Sequence, residues 1–193
     1  MKKILYFLSF VLLAAFSACT EGTNFDINYT PIAPIGGQYR VNIERGYDPT
    51  LTDEQYWKVK ADSATFFYKT DGKGFYKGVV YAYLTNTTDY DTDKAWLRVG
   101  SYISTDPYAI NVKVPINMND YTFGGVDLDD YIGNSAEVTD KVTISGYCGH
   151  NTYKTASGTV TDQITVIYSR SDEPGYHYRV TGFKYTGWSE DKY

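Results

Sequence analysis

Residues 157–193 read SGTVTDQITVIYSRSDEPGYHYRVTGFKYTGWSEDKY, and this C-terminal stretch decides the predicted fold. Two runs within it, residues 159–169 and 176–186, alternate between apolar and polar side chains, which is typical of half-buried β-strands. The segment between them, residues 171–175, is polar and ends in Pro174 and Gly175, which favours a hairpin turn. A free edge so rich in tyrosine and valine would promote aggregation, so we expect this hairpin to close a β-barrel or a sandwich.

The same alternation recurs upstream. Pro115 lies in the clearest alternating run and has no amide proton for a sheet ladder, so we expect it at an edge, a bulge or a barrel seam. Thr52 and Gln55 have the spacing of a helical capping box and predict a short helix. Residues 121–134 are acidic and predict a loop. Predicted strands cover residues 38–44, 65–70, 76–86, 95–99, 110–117 and 141–147, with a glycine-rich hairpin turn at residues 71–74. The chain therefore predicts an all-β fold, a single antiparallel up-and-down barrel of about eight strands with at most one short helix.

The N-terminus has the features of an export signal. Lys2 and Lys3 precede an apolar segment, residues 4–16, which as a helix would extend about 20 Å and is too short for a bilayer core of about 30 Å. We therefore expect residues 1–18 to be a cleaved signal peptide rather than an anchor helix.

Residues 16–19, Phe-Ser-Ala-Cys, resemble the bacterial lipobox, in which small residues precede a cysteine that receives diacylglycerol. We expect Cys19 to carry lipid, residues 19–34 to form an extended tether, and residues 35–193 to form the barrel domain. The chain would then be exported and held at the outer membrane, on its periplasmic or cell-surface face. The alternative is an ordinary secretory signal with Cys19 as a bystander. Lipid on Cys19 would leave Cys148 as a single thiol, because the chain has two cysteines.

The charge balance argues against two classes of partner. The formal net charge is −5 and no run of basic residues exists, which argues against nucleic acid and against electrostatic binding to membranes. The chain contains 21 tyrosines, a residue that favours strands and half-buried surfaces, so a β protein with a binding surface or cavity is indicated.

Several short motifs resemble those of a known family. They are the segment 36–41, the pair 85–87 and 94–96, and the C-terminal segment 178–187, Tyr-Arg-Val-Thr-Gly-Phe-Lys-Tyr-Thr-Gly. Together they resemble Bacteroidetes lipoproteins described as lipid-binding putative hydrolases, which have a calycin-like, lipocalin-type barrel. The resemblance spans most of residues 35–191. It implies a barrel, lipidation and an apolar ligand, and it supplies no catalytic residues.

Cys148 and His150 are the candidate catalytic residues. Two residues apart on a strand, they would share a face, and an imidazole can activate a thiol. This pair supports the hypothesis of an esterase-like hydrolase. The alternative is a cysteine that packs as a small apolar residue beside a loop histidine. No Gly-x-Ser-x-Gly nucleophile motif is present.

Metal-binding patterns are weak. Cys148, His150 and His177 have no spacing that requires zinc. Residues 89–93 begin like a calcium loop, but Lys94 and Gly100 occupy its sixth and twelfth positions, so a solvated acidic turn is expected. Asp127, Asp129 and Asp130 are expected in a charged loop, and the alternative is that they help to bind calcium. We therefore predict no metal and no cofactor.

Aromatic residues on the predicted strands are the candidate ligand contacts, because alternate residues of a small barrel face its interior. They either pack the core or contact a small ligand there. The function predicted is non-enzymatic binding of a small apolar or amphiphilic, lipid-like molecule. The other alternative is a glycan-binding or scaffold component of a surface uptake complex, with exposed tyrosines stacking on sugars. The candidate ligand contacts are Tyr81, Tyr83, Trp96, Tyr168 and Tyr178.

Overall fold

The computed structural model of the chain describes residues 29–60, 65–68, 80–101, 106–132, 138, 140–188 and 191, the short segment 65–68 by its backbone alone. The predicted signal peptide, Cys19, most of the predicted tether and the predicted turn at residues 71–74 lie outside these residues.

Nine strands and one helix make up the described fold, and the strands pair antiparallel throughout. Strands β3 to β8 each pair with the next strand along the chain, and β9 pairs with β1 from Tyr47↔Tyr176 to Tyr39↔Lys184. The C-terminal hairpin therefore closes an eight-stranded up-and-down barrel, as predicted. The elements are β1 (Gly37–Tyr47), α1 (Asp53–Val59), β2 (Thr65–Tyr68), β3 (Val80–Asn86), β4 (Lys94–Val99), β5 (Ile110–Asn117), β6 (Thr122–Asp130), β7 (Asp140–Lys154), β8 (Val160–Arg170) and β9 (Tyr176–Lys184).

Strand β2 is an addition to the barrel. It pairs with β1 around Glu44, while β3 pairs with the same edge of β1 from Gly37 to Val41. Since both pairings are antiparallel, β2 and β3 run in the same direction along β1. The prediction that these two strands form the arms of one hairpin is therefore wrong for the described residues.

Alternate side chains of most strands fill the barrel interior. Val80, Ala82 and Leu84 of β3 face the core, as do Leu97 of β4 and Val112 of β5. Apolar burial contributes roughly 25 cal/mol per Å² to folding, so this interior is the main source of stability. The fully buried Ile32 belongs to the same core. Part of the predicted tether thus packs against the barrel, and the boundary of the domain stays a prediction.

Strand β6 replaces the acidic loop predicted for residues 121–134. The loop prediction is wrong because β6 pairs with β5 on one side and β7 on the other, and backbone pairing outweighs the unfavourable strand propensity of glycine and aspartate. The β5–β6 register shifts between Val112 and Ile116, which places Pro115 at the predicted irregularity.

Helix α1 begins with the predicted capping box. The Thr52 hydroxyl accepts a hydrogen bond from the Gln55 amide at 3.3 Å, and the Gln55 side chain accepts one from the Thr52 amide at 3.0 Å. Tyr56 and Trp57 are buried against the outer surface of the barrel. No helix in the described part of the chain combines the length and apolar character that crossing a membrane requires.

Candidate ligand-binding site

The Cys148 thiol lies inside the barrel and is poorly suited to act as a nucleophile. The residue is 3% exposed, and its sulfur lies 3.6 Å from the hydroxyl of Tyr39. Burial raises the pKa of Cys148 to about 11 and raises the pKa of Tyr39 well above its ordinary range. Because the thiolate is the reactive form, burial keeps this sulfur protonated and inert near neutral pH.

His150 pairs with a residue that the sequence did not indicate. Its Nδ1 lies 2.8 Å from Oδ1 of Asp162, a buried carboxylate that also accepts a hydrogen bond from the Lys184 ammonium at 3.2 Å. The His150 side chain is 41% exposed. Asp162 and Lys184 occupy β8 and β9, so only the pairing of strands brings them to His150. The sequence did contain an indication of its burial, because Asp162 alternates in step with Ile164 and Val166 and so lies on the same face of β8.

His177 has a structural position on the outer surface of the barrel. Its Nδ1 lies 2.5 Å from Oδ1 of Asp53, its Nε2 lies 2.9 Å from the carbonyl oxygen of Asp48, and its ring stacks on Tyr56 at 4.6 Å. These contacts join α1 to β9. In the described residues, no three histidine, cysteine or carboxylate side chains lie close enough together to hold a metal ion.

The acidic residues of β6 are separated by the strand. Asp130 is fully buried, and Asp129 forms an ion pair with Lys141. The strand thus directs these carboxylates to different surroundings.

The five candidate aromatic residues divide between two faces of the barrel. Tyr168 and Tyr178 are fully buried inside it. Tyr81, Tyr83 and Trp96 are partly exposed and alternate with buried residues of β3 and β4, so they lie on the outer face and do not line the interior. Their role as ligand contacts stays a prediction. The sequence could not separate the two faces of β3, because both faces carry apolar or aromatic residues.

Side chains occupy the interior around the two buried tyrosines. The Tyr168 and Tyr178 rings stack with centroids 5.0 Å apart, and the Tyr168 hydroxyl donates to the carbonyl oxygen of Tyr108 at 2.5 Å. At another level of the barrel, a Cβ added at Gly146 would lie 2.4 Å from the ring of Phe123. Core packing therefore accounts for the burial of both tyrosines.

A groove of about 670 Å³ crosses the outer wall formed by β5 to β8. Tyr147 and Ile167 supply apolar surface, and the hydroxyl groups of Thr122, Ser145 and Thr165 lie among them. The groove has the volume typical of small-molecule sites. None of its lining side chains is charged: Pro115, Ile116, Asn117, Thr122, Phe123, Gly124, Ile144, Ser145, Gly146, Tyr147, Thr165 and Ile167.

Close approach of β6 to β7 forms the floor of the groove. Gly124 has a φ of +137°, and a Cβ at this position would lie 2.1 Å from the carbonyl oxygen of Ile144. Only glycine permits this approach. The groove adjoins the register shift beside Pro115, where the wall is irregular. No motif marks these residues in the sequence, because they come from four strands.

Comparisons with known proteins identify the family. A family model described as "Lipid-binding putative hydrolase" matches residues 24–189. A search of curated proteins found no match. The match covers most of the chain, and the closed barrel is consistent with the calycin-like fold expected from the sequence motifs. The chain belongs to the lipid-binding putative hydrolase family.

Proposed function

We propose that the protein is an exported lipoprotein, held at the outer membrane by lipid on Cys19, whose barrel binds a small apolar or amphiphilic molecule without converting it. The observation that carries the binding proposal is the uncharged groove of about 670 Å³ in a barrel of a lipid-binding family.

The groove suits one acyl chain with a small polar end. Burial of the chain against Pro115, Tyr147 and Ile167 would contribute roughly 25 cal/mol per Å² of apolar surface. Hydroxyl groups of Thr122 and Thr165 would orient the polar end, because uncharged hydroxyls form hydrogen bonds without favouring a charged ligand.

Lipid extraction and a matched pair of variants test the binding site. Native mass spectrometry of protein purified from its own host should show a bound lipid-like mass. A fluorescent fatty acid should bind the Ile167→Glu variant at least about tenfold more weakly, because the new carboxylate would repel the carboxylate of the probe and desolvation of a charge is costly. Val160→Glu changes an exposed aliphatic residue of the same strand outside the groove and should bind as the unmodified protein does.

Tyr147→Ala provides a second variant if Ile167→Glu does not fold, because Tyr147 is 48% exposed and lines the groove. Unchanged affinity in a folded groove variant would contradict the assignment of the site.

Radiolabelled palmitate tests the anchor separately. The unmodified chain expressed in its host should incorporate the label, and Cys19→Ala should not. Equal labelling of both chains would contradict lipidation at Cys19.

A chromogenic ester tests whether the protein hydrolyses a bound molecule. We expect no turnover, because the Cys148 thiol is buried beside Tyr39 and its pKa is raised to about 11. Turnover that is lost in both Cys148→Ala and His150→Asn would instead support the thiol esterase hypothesis. Turnover that is lost in His150→Asn but kept in Cys148→Ala would indicate that His150, paired with Asp162, acts as a general base without the thiol.

A further inference from the structure

Aromatic and basic side chains alternate on the outer face of β3, β4 and β5. We call this surface the aromatic–basic wall. The Arg98 guanidinium lies 4.1 Å from the ring centre of Tyr83, and the Lys113 ammonium lies 5.5 Å from that of Trp96. The wall consists of Tyr81, Tyr83, Trp96, Arg98, Lys113 and Tyr131, all of them partly exposed.

The four rings of the wall form two pairs. Trp96 meets Tyr131 edge to face with centroids 5.6 Å apart, and Tyr81 lies 6.3 Å from Tyr83. The wall therefore presents two pairs of neighbouring rings instead of isolated rings.

Among the described neighbours of the wall, the Asp129 carboxylate accepts a hydrogen bond from the Tyr131 hydroxyl at 3.4 Å and forms an ion pair with Lys141. The residues in register with the other aromatic and basic side chains are uncharged or basic. Arg40 is opposite Tyr81, Gln38 is opposite Tyr83, and Asn111 is opposite Arg98. Arg98 and Lys113 thus bring two cations to one face of a chain whose net charge is −5. The sequence shows no basic run because each cation comes from a different strand, which is why the sequence argued against electrostatic binding to membranes.

The wall lies where the N-terminal segment enters the barrel. Gly37, the first residue of β1, pairs with Leu84, and the next residue pairs with Tyr83. The N-terminal segment therefore joins the sheet at the level of Tyr83, after Ile32 and Ile35 pack into the core. The ten residues from Cys19 to Tyr29 can extend at most about 35 Å, so lipid on Cys19 would keep this end of the barrel close to the bilayer.

We propose that the aromatic–basic wall docks on the surface of an anionic phospholipid bilayer and orients the barrel there. Tryptophan and tyrosine favour the membrane–water interface, where their rings contact acyl chains and their polar atoms reach water. Arg98 and Lys113 would contact the phosphate groups of the lipids, since cations near an anionic bilayer are attracted to it. This inference rests on the proposed anchoring through Cys19, and it does not depend on the ligand groove.

Docking would also bring the groove to its ligand. Pro115 lines the groove and follows Lys113 by two residues on the same face of β5. A barrel that rests on this wall would hold the groove beside the bilayer, from which a lipid could enter it.

Fluorescence of Trp96 tests the docking. The lipidated protein, with Trp57→Phe and Trp188→Phe so that Trp96 is the remaining tryptophan, is reconstituted into vesicles of phosphatidylcholine and phosphatidylglycerol with brominated acyl chains. We expect Trp96 emission to be quenched at least about twofold relative to unbrominated vesicles. Arg98→Gln with Lys113→Gln should abolish most of this quenching, because the attraction to phosphate is lost.

A matched charge control uses Lys58→Gln with Lys154→Gln, which removes two exposed cations outside the wall. It should leave the quenching unchanged. Circular dichroism establishes that each variant is folded.

Flotation with the vesicles separates this inference from the proposed anchoring. A protein that does not float lacks the anchor, so the proposed function fails and the inference that rests on it fails too. A protein that floats without quenching of Trp96 overturns the docking alone. Saturable change of Trp96 emission with maltoheptaose, together with no quenching in bilayers, would also overturn it and would assign the wall to glycans.

Discussion

Tyr168 and Tyr178 face each other across strands β8 and β9 inside the barrel, with ring centroids 5.0 Å apart and ring planes 8° from parallel. Both residues are fully buried. Their rings occupy the space in which a larger barrel would hold a ligand. We therefore expect Tyr168 and Tyr178 to contribute to the free energy of unfolding.

Replacing Tyr168 with phenylalanine should destabilise the fold by about 1–2 kcal/mol, because the buried carbonyl oxygen of Tyr108 loses the hydroxyl that donates to it. Urea denaturation measures this free energy of unfolding. Tyr90→Phe is the control, since Tyr90 is 62% exposed and should change the stability little. A Tyr168→Phe protein as stable as the Tyr90→Phe protein would contradict the packing described.

Asp130 should make the stability fall as the pH rises. Burial raises its pKa to about 6 from an ordinary value of 3.8. Between these values the folded chain keeps a proton that the unfolded chain releases, so the contribution is full below pH 3.8 and is lost as the pH passes about 6. Asn cannot ionise, so Asp130→Asn should match the unmodified protein at acid pH and be more stable by about 1–3 kcal/mol at neutral pH.

Asp120→Asn should change the pH dependence of stability in the opposite direction. Hydrogen bonds from the Thr122 hydroxyl and amide lower the pKa of Asp120, so its ionised form stabilises the fold above the ordinary pKa and this contribution is lost in acid. The free energies of unfolding of both variants, measured relative to the unmodified protein from strongly acidic to neutral pH, check the two opposite pH dependences. A parallel pH dependence in the two variants would contradict the assignment.

Asp53 should fix helix α1 to the barrel. Its carboxylate accepts a hydrogen bond from the Ser169 hydroxyl at 2.7 Å and pairs with His177. Asp53→Ala should destabilise the fold by about 1–3 kcal/mol and accelerate amide exchange in α1. Glu54→Ala removes an exposed carboxylate from the same helical turn, so it controls for the helix dipole. If both substitutions destabilise the fold equally, Asp53 acts only through its favourable interaction with the helix dipole, and its contacts with the barrel add nothing.

Cys148 should resist alkylation in the folded protein. With a pKa of about 11 and little exposure, the thiol should react with iodoacetamide at pH 8 at least about 100-fold more slowly than a free cysteine does. A Cys19→Ala chain isolates the signal, because the sequence has two cysteines. The same chain in urea should react at the ordinary rate. Rapid alkylation of the folded chain would restore Cys148 as a candidate nucleophile.

Local patterns were sufficient to predict much of this fold. The alternation in residues 159–169 and 176–186 predicted the closing hairpin, and Thr52 with Gln55 predicted the start of α1. These features depend on residues that are close together along the chain, so a short stretch of sequence is enough to predict them. The β6 prediction failed because the strand is held by its partners, β5 and β7, in spite of its own residues.

The sites depended on distances between strands. The sequence by itself determined a barrel and membership of a family, and it predicts an export segment with a candidate lipidation site at Cys19. Only the tertiary structure decided that Asp162 meets His150, that Cys148 is enclosed with Tyr39, and that Arg98 and Lys113 share one face with the aromatic residues. The physical reason is that strand register sets which side chains meet, and residues far apart in sequence become neighbours only when the barrel closes.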